Sequence, residues 1–349
     1  ISNYPLMIQF GNKPYVDLRA SFNSLIPENI SKKTQKKLLK FYFSKLKSYP
    51  FLHDKIEFEI VFTCYDFLFN NRKKELIKSE FSKEEVFEFE KQLITFTSNL
   101  IKNFSYNSKK IKESLNNLSI NQKKIFKQTK KIDNFQILIN SITLQLENCK
   151  TYGTKPFSTM ARYAFVGTIL LQSLMISKII SKNDYDNFIN SIKTPLTDYK
   201  NDMELLSKSK ISKKIFLEKY GHLRPGTYDI TIPRYDSNSH FFEHFTIQNN
   251  KSKENCNLKF FKNPYIDILK INSTDFIDFI TSSITNREIV KFEFTKILSD
   301  LIENIAKAGS ILGFSRNDMA QLSMSDILKT KTMSKIEIRS FWKKQIIKE

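Results

Sequence analysis

The sequence predicts a mainly α (α+β) fold: a multi-helix substrate-type domain with a small β region near the N-terminus and a long helical hairpin. Three observations carry that expectation. Apolar residues recur at helical spacing through most of the 349 residues, and only 7 glycines and 9 prolines interrupt them. Alternating or β-branched runs are confined to residues 1–70. A hydrophobic content of 40%, with 31 phenylalanines, supplies enough core to exclude disorder as the default.

In residues 1–70, PLMIQFGNKPYVDLRASF and DKIEFEIVFTCYDFLF read as strands. Between them, Leu38, Leu39, Tyr42 and Leu46 fall on one face of a helix from Ser31 to Tyr49. Residues 71–150 are helical and form the hairpin. Ser82 opens its first arm with the capping box SKEE, and Phe81 and Val86 are placed as the hydrophobic staple. Phe87, Phe89, Leu93, Phe96 and Leu100 continue the apolar face. The second arm runs from about Ser108 to Cys149, with breaks expected near Asn116 and Asp133.

Residues 151–349 form a helical core interrupted by a loop region, 219–264. Tyr163 to Ile180 is its most apolar stretch. Gln172, Ser173, Ser177 and Lys178 interrupt it, so a buried helix is expected rather than a membrane span. Further helices are expected from about Asn183, from Ser212 to Tyr220, Ser273 to Ser283, Glu288 to Gly313, and Met324 onward. Gly221 stands where a helix-ending glycine in the left-handed conformation is expected. The chain begins at Ile1, and the reading is of one domain excised from something longer.

A formal charge of +20 invites a nucleic-acid reading. Nearly all of it is lysine, however, and base and phosphate recognition leans on the arginine fork. Cys64, Cys149 and Cys256 are odd in number and far apart, which encodes neither a disulfide framework nor a zinc site and suits a reduced, cytoplasmic setting. No phosphate-binding glycine loop or nucleophile elbow is present. His240 and His244 in HFFEH have helical ligand spacing, but Glu243 is misplaced for a zinc-protease motif.

Three constellations remain. Tyr15, Asp17 and Arg19 alternate along a strand and share one face, which suits a pocket wall or an exposed ion pair. Glu57 and Glu59 project together from the second strand, as bases or amine ligands, or simply as its wet face. In KYGHLRPGTYDITIPRY, His222 and Arg224 follow directly on a helix end. They suit either ligand binding from a loop on a rigid scaffold or a plain cap and turn.

FLEKYGHLRPGTYDITIPRY resembles the block between the nucleotide and phosphohistidine domains of phosphoenolpyruvate-synthase-like dikinases, and a related block of rifampicin phosphotransferases. GNKPYVDLRASFNSLIP, LHDKIEFEIVFTCYDF, TKPFSTMARYAFVGTILLQSL and GFSRNDMAQLSMSDIL resemble successive blocks of one subgroup found with bacterial surface-polysaccharide genes, in which the L-glutamine kinases of capsular phosphoramidate synthesis are the nearest match. The resemblance implies an ATP-grasp domain that charges a histidine at the expense of ATP and Mg, releasing AMP and phosphate. The phosphoryl group then passes to the acceptor.

This chain departs from that pattern in lacking the ATP-grasp loops and the Gly/Ser-rich histidine segment, and none of its 4 histidines matches the carrier. It is therefore expected to be the acceptor-binding domain, inactive alone and with no cofactor of its own. What the resemblance implies for residues is that Arg224, Arg19 and Arg162 supply cationic charge. Asp17, Glu57 or Glu59 would meet the ammonium of glutamine, Tyr15 would line the same pocket, and His222 or one of the acids would act as base. Two rival readings are a helical nucleic-acid module and a structural spacer between catalytic domains.

Overall fold

The computed structural model describes residues 6–10, 13–129, 135–226, 228–238 and 264–347. About 75% of the chain is helical, with a single small sheet among the described residues. Strands β1 (Met7–Phe10) and β2 (Lys13–Val16) form an antiparallel hairpin, Met7 facing Val16 and Phe10 facing Lys13. Helices α1 (Leu18–Asn23), α2 (Lys32–Ser48), α3 (Phe69–Lys78), α4 (Lys83–Lys102), α5 (Phe104–Thr129), α6 (Phe135–Cys149) and α7 (Lys155–Ile176) follow. Then come α8 (Lys182–Ser191), α9 (Pro195–Ser207), α10 (Lys213–Tyr220), α11 (Pro264–Leu269), α12 (Ser273–Ile311), α13 (Arg316–Ala320), α14 (Met324–Leu328) and α15 (Lys335–Ile347).

Two compact units are formed. One comprises residues 1–107, 161–192 and 252–285; the other comprises residues 108–160, 193–251 and 286–349. In the first, α2 buries Thr34, Leu38, Tyr42 and Leu46, one residue per turn on one stripe. Phe62 sits at an aromatic junction, 5.7 Å from the Phe69 ring and 5.5 Å from Phe89, with the Arg72 guanidinium 4.3 Å above its face. The expected capping box opens α4. The Ser82 amide donates to Glu85 Oε2 (2.9 Å), and the Glu85 amide donates to Ser82 Oγ (3.2 Å). Replacing Ser82 by alanine is expected to cost about 1 kcal/mol, read as a lowered urea midpoint.

The second unit closes its main core where α6 and α12 bring Ile139, Leu301 and Ile305 together with Met319, Ile338 and Trp342 from the C-terminal helices. One stretch, Phe135–Ile176, is long and apolar enough to cross a bilayer by length and composition, with 56% of its most apolar window buried inside the protein.

Several local expectations are corrected. The segment around Glu57 and Glu59 is not a strand but a π-helical turn, Ile56–Ile60, in which the Val61 amide donates to the Ile56 carbonyl (3.1 Å). A lone strand there would leave its amides unpaired, and the local turn pairs them while burying Ile56 and Ile60. Tyr15, Asp17 and Arg19 do not share a strand face either. β2 ends at Val16, Asp17 caps α1 by accepting from the Arg19 amide (2.9 Å), and Arg19 is helical.

No break occurs at Asn116 in α5, and α12 runs unbroken through residues 284–287. There Ser283 Oγ folds back onto the Ile280 carbonyl (3.1 Å) and the Asn286 amide donates to Ser108 Oγ (3.1 Å). Side chains that compete for backbone elsewhere are thus occupied. Phe87 lies outside the apolar stripe of α4 and is 69% exposed.

Candidate functional site

The region after α10 is built by local chain reversal. Ser212 caps α10, and the Gly221 amide closes the helix on the Leu217 carbonyl (2.7 Å). Gly221 is right-handed (φ −57°), contrary to expectation; glycine is needed because a Cβ would lie 2.4 Å from the Leu217 carbonyl oxygen and 2.9 Å from Asp236 Cβ. The left-handed residue is Gly226 (φ +64°). The chain then folds back, with the Tyr235 amide donating to the Leu223 carbonyl (2.9 Å) and that of Asp236 to Gly221 (3.1 Å).

This reversal encloses Arg224, whose side chain is 1% exposed. Nη1 donates to the carbonyls of Asp229 and Ile232 (both 3.2 Å). Nη2 donates to Ser299 Oγ (2.9 Å) and Glu303 Oε1 (2.9 Å). Burial lowers the Arg224 pKa, and the Glu303 charge opposes that shift. Ser299 Oγ in turn donates to the His222 carbonyl (2.7 Å).

Glu303 holds a second arginine. Arg316, at the start of α13, donates Nη1 to Glu303 Oε1 (3.2 Å) and to the Ile230 carbonyl (2.8 Å), and its Nη2 pairs with Glu303 Oε2. Beside them, Arg234 bridges Asp300 (2.6 Å) and Asp236 (2.6 Å), while burial raises the Asp300 pKa against the pull of Arg234.

On its outer side the cluster borders a cavity of about 340 Å³ lined by Glu303, Lys307, Ser310, Ser315 and Arg316, with Ala306 and Phe314. The walls are mainly polar. Lys307 and Arg316 contribute positive charge and Glu303 contributes one carboxylate, which suits a small zwitterionic or anionic molecule better than an apolar one.

His222 is 8% exposed, its ring edge-on to Phe292 at 5.0 Å. Burial, assisted by the charges of Lys296 and Arg234, pushes its pKa down to about 3, so the ring is neutral at physiological pH. Its Nε2 has no hydrogen-bond partner among the described residues.

His222 and Arg224 thus lie together in the second unit, both bonded to Ser299, with Arg224 behind the Glu303 that lines the cavity. The other candidates belong to the first unit. Asp17 and Arg19 pair with each other (2.8 Å), and Tyr15 packs edge-on to Phe10 in the exposed hairpin. Glu59 is exposed, while Glu57 is half-buried and acts electrostatically on Arg162. Arg162 lines a separate, apolar cavity. The His240–His244 pair lies outside the described residues. Among the described residues, no group of three or more His, Cys, Asp or Glu side chains is placed to hold a metal.

Sequence reasoning missed Ser299, Asp300, Glu303 and Arg316. A faint signal existed, since Ser299, Glu303, Lys307 and Ser310 recur at helical spacing and so share one face of α12. Comparison with known proteins adds no relative: no family model, no curated protein and no solved structure matches the chain.

Proposed function

We propose that this chain is the acceptor-binding part of an ATP-dependent phosphotransferase that works through a phosphohistidine, and that the cavity beside Glu303 receives a small amino-acid acceptor of the L-glutamine type. One observation carries the reading. Arg224 and Arg316 come from two of the sequence blocks that resemble the dikinases, and they meet on the same carboxylate at the edge of a polar cavity.

In this reading Arg316 and Lys307 take the α-carboxylate, and Glu303 takes the α-ammonium. Arg224, buried behind Glu303, is a positioning residue that holds the carboxylate in place. The amide nitrogen attacks the phosphorus of the incoming phosphohistidine, the phosphorus–imidazole bond breaks, and the released imidazole takes the amide proton. The histidine carrier, and the ATP and Mg that charge it, belong to further domains of the same polypeptide, in the cytoplasm.

Calorimetric titration of the chain with L-glutamine tests the reading. Saturable 1:1 binding is expected, weakened at least tenfold by Lys307→Met or Arg316→Gln. Equal binding by wild type and both variants would overturn it. Binding of another small acceptor in place of glutamine would favour a different dikinase-like substrate, whereas steeply salt-dependent RNA binding would favour the nucleic-acid reading.

A further inference from the structure

The first unit contains a cavity that the acceptor reading does not use. Ser24 to Glu28, the link from α1 to α2, forms one side. Phe62 and Thr63 come from the end of the π-helical turn, Leu93, Phe96 and Leu100 from α4, and Arg162, Phe165 and Val166 from α7. On α4 and α7 these residues fall at helical spacings of three, four and seven, so each helix presents a continuous face. The volume is about 270 Å³, the size of a small metabolite rather than of a peptide.

The interior is hydrocarbon. Phe62, Leu93 and Val166 are buried at its floor, and Phe96 stands at the rim, 45% exposed. Against this apolar wall is set one cation. Arg162 donates Nη1 to the Ser24 carbonyl (3.1 Å) and Nη2 to Ser24 Oγ (2.7 Å). Two of its five N–H groups are thereby used to fix the guanidinium plane, and the remainder have no partner among the described residues. Burial against the lining lowers the Arg162 pKa while the Glu57 charge raises it, and the residue as a whole stays exposed, so a ligand can reach the guanidinium.

A fixed guanidinium beside a hydrocarbon floor matches a carboxylate on an apolar body, because the fork takes two oxygens and the wall takes the chain. A glutamine side chain would leave its amide unpaired against Leu93 and Phe165, a loss that discriminates strongly. Glu28 contributes a negative charge to the same lining, which disfavours a second carboxylate.

We propose that the first unit carries a binding site for a small monocarboxylic acid with an aliphatic or aromatic body, held by Arg162 over the floor formed by Phe62, Leu93 and Val166. The site rests on the first unit alone and is independent of the acceptor reading.

The test is calorimetric titration of the full chain with hexanoate, hexanamide and adipate, under conditions where urea unfolding shows each variant folded. Saturable 1:1 binding of hexanoate is expected, with hexanamide and adipate at least tenfold weaker. Arg162→Gln should weaken hexanoate at least tenfold, while Arg162→Lys keeps part of the affinity. Should Arg162→Gln fail to fold, Phe96→Asp at the exposed rim should weaken hexanoate comparably by charge repulsion. No binding of hexanoate, equal binding of acid and amide, or indifference to both Arg162→Gln and Phe96→Asp would overturn the proposal.

Discussion

Replacing Arg224 by alanine is expected to destabilise the second unit by about 3–5 kcal/mol, the cost of removing one partner from a buried ion pair. The side chain is 1% exposed, so its loss leaves a void together with the Asp229 and Ile232 carbonyls, Ser299 Oγ and Glu303 short of a donor. Arg224→Lys restores the charge but not the fork, and an intermediate loss is expected because one ammonium cannot reach acceptors on two sides of the loop.

The sole tryptophan, Trp342, is fully buried in the core of the second unit, so its fluorescence in a urea titration reads that unit directly. A midpoint lowered at constant slope is the expected outcome. A loss below about 1 kcal/mol, together with abolished acceptor binding, would instead place Arg224 against the ligand. For transfer assays it follows that an inactive Arg224→Ala enzyme says nothing about chemistry until its folding has been measured.

Acidification from pH 7 to pH 5 is expected to remove about 2 kcal/mol through His222 alone. The ring's pKa is about 3 in the folded protein against an ordinary value of 6.5. Below pH 6.5 the unfolded chain takes up a proton that the folded chain refuses, so unfolding gains as pH falls, and the loss continues until pH approaches the folded value. The cause is burial first, with the positive charges of Lys296 and Arg234 acting in the same direction.

Asp300 works in the opposite direction, because burial raises its pKa and the folded state favours its protonated form in acid. The informative quantity is therefore the difference between wild type and His222→Gln across pH 7, 6 and 5, read by Trp342. The variant should show a flatter profile by about 2 kcal/mol over that span. Parallel profiles would mean that His222 is charged in the folded protein, and its candidacy as a base would then need a different environment.

Much of the architecture was legible from local signals, and the reasons are physical. Helix α4 was announced by the Ser82–Glu85 box, because both orphan ends are satisfied within four residues of sequence. Helix α2 was legible because Leu38, Tyr42 and Leu46 repeat once per turn and do bury. A break in α12 was wrongly expected because Ser283 and Asn286 look like helix breakers until their partners, the Ile280 carbonyl and Ser108, are known. The second strand was misread because Ile56, Phe58 and Ile60 alternate, yet alternation makes a strand only where another strand offers its edge.

The same division holds at the candidate site. By itself the sequence determined the helical class, a small β region near the N-terminus, the capping box of α4, and the place of His222 and Arg224 directly after a helix end, since each of these is written in residue type and short spacing. Tertiary structure alone decided that Arg224 faces inward to Glu303 rather than outward, that Arg316 joins it, and that Arg162 ends above an apolar floor. These pairings join residues 79, 13 and 138 positions apart. No local periodicity encodes such contacts, because they are selected by which buried charges can find partners once the helices have packed.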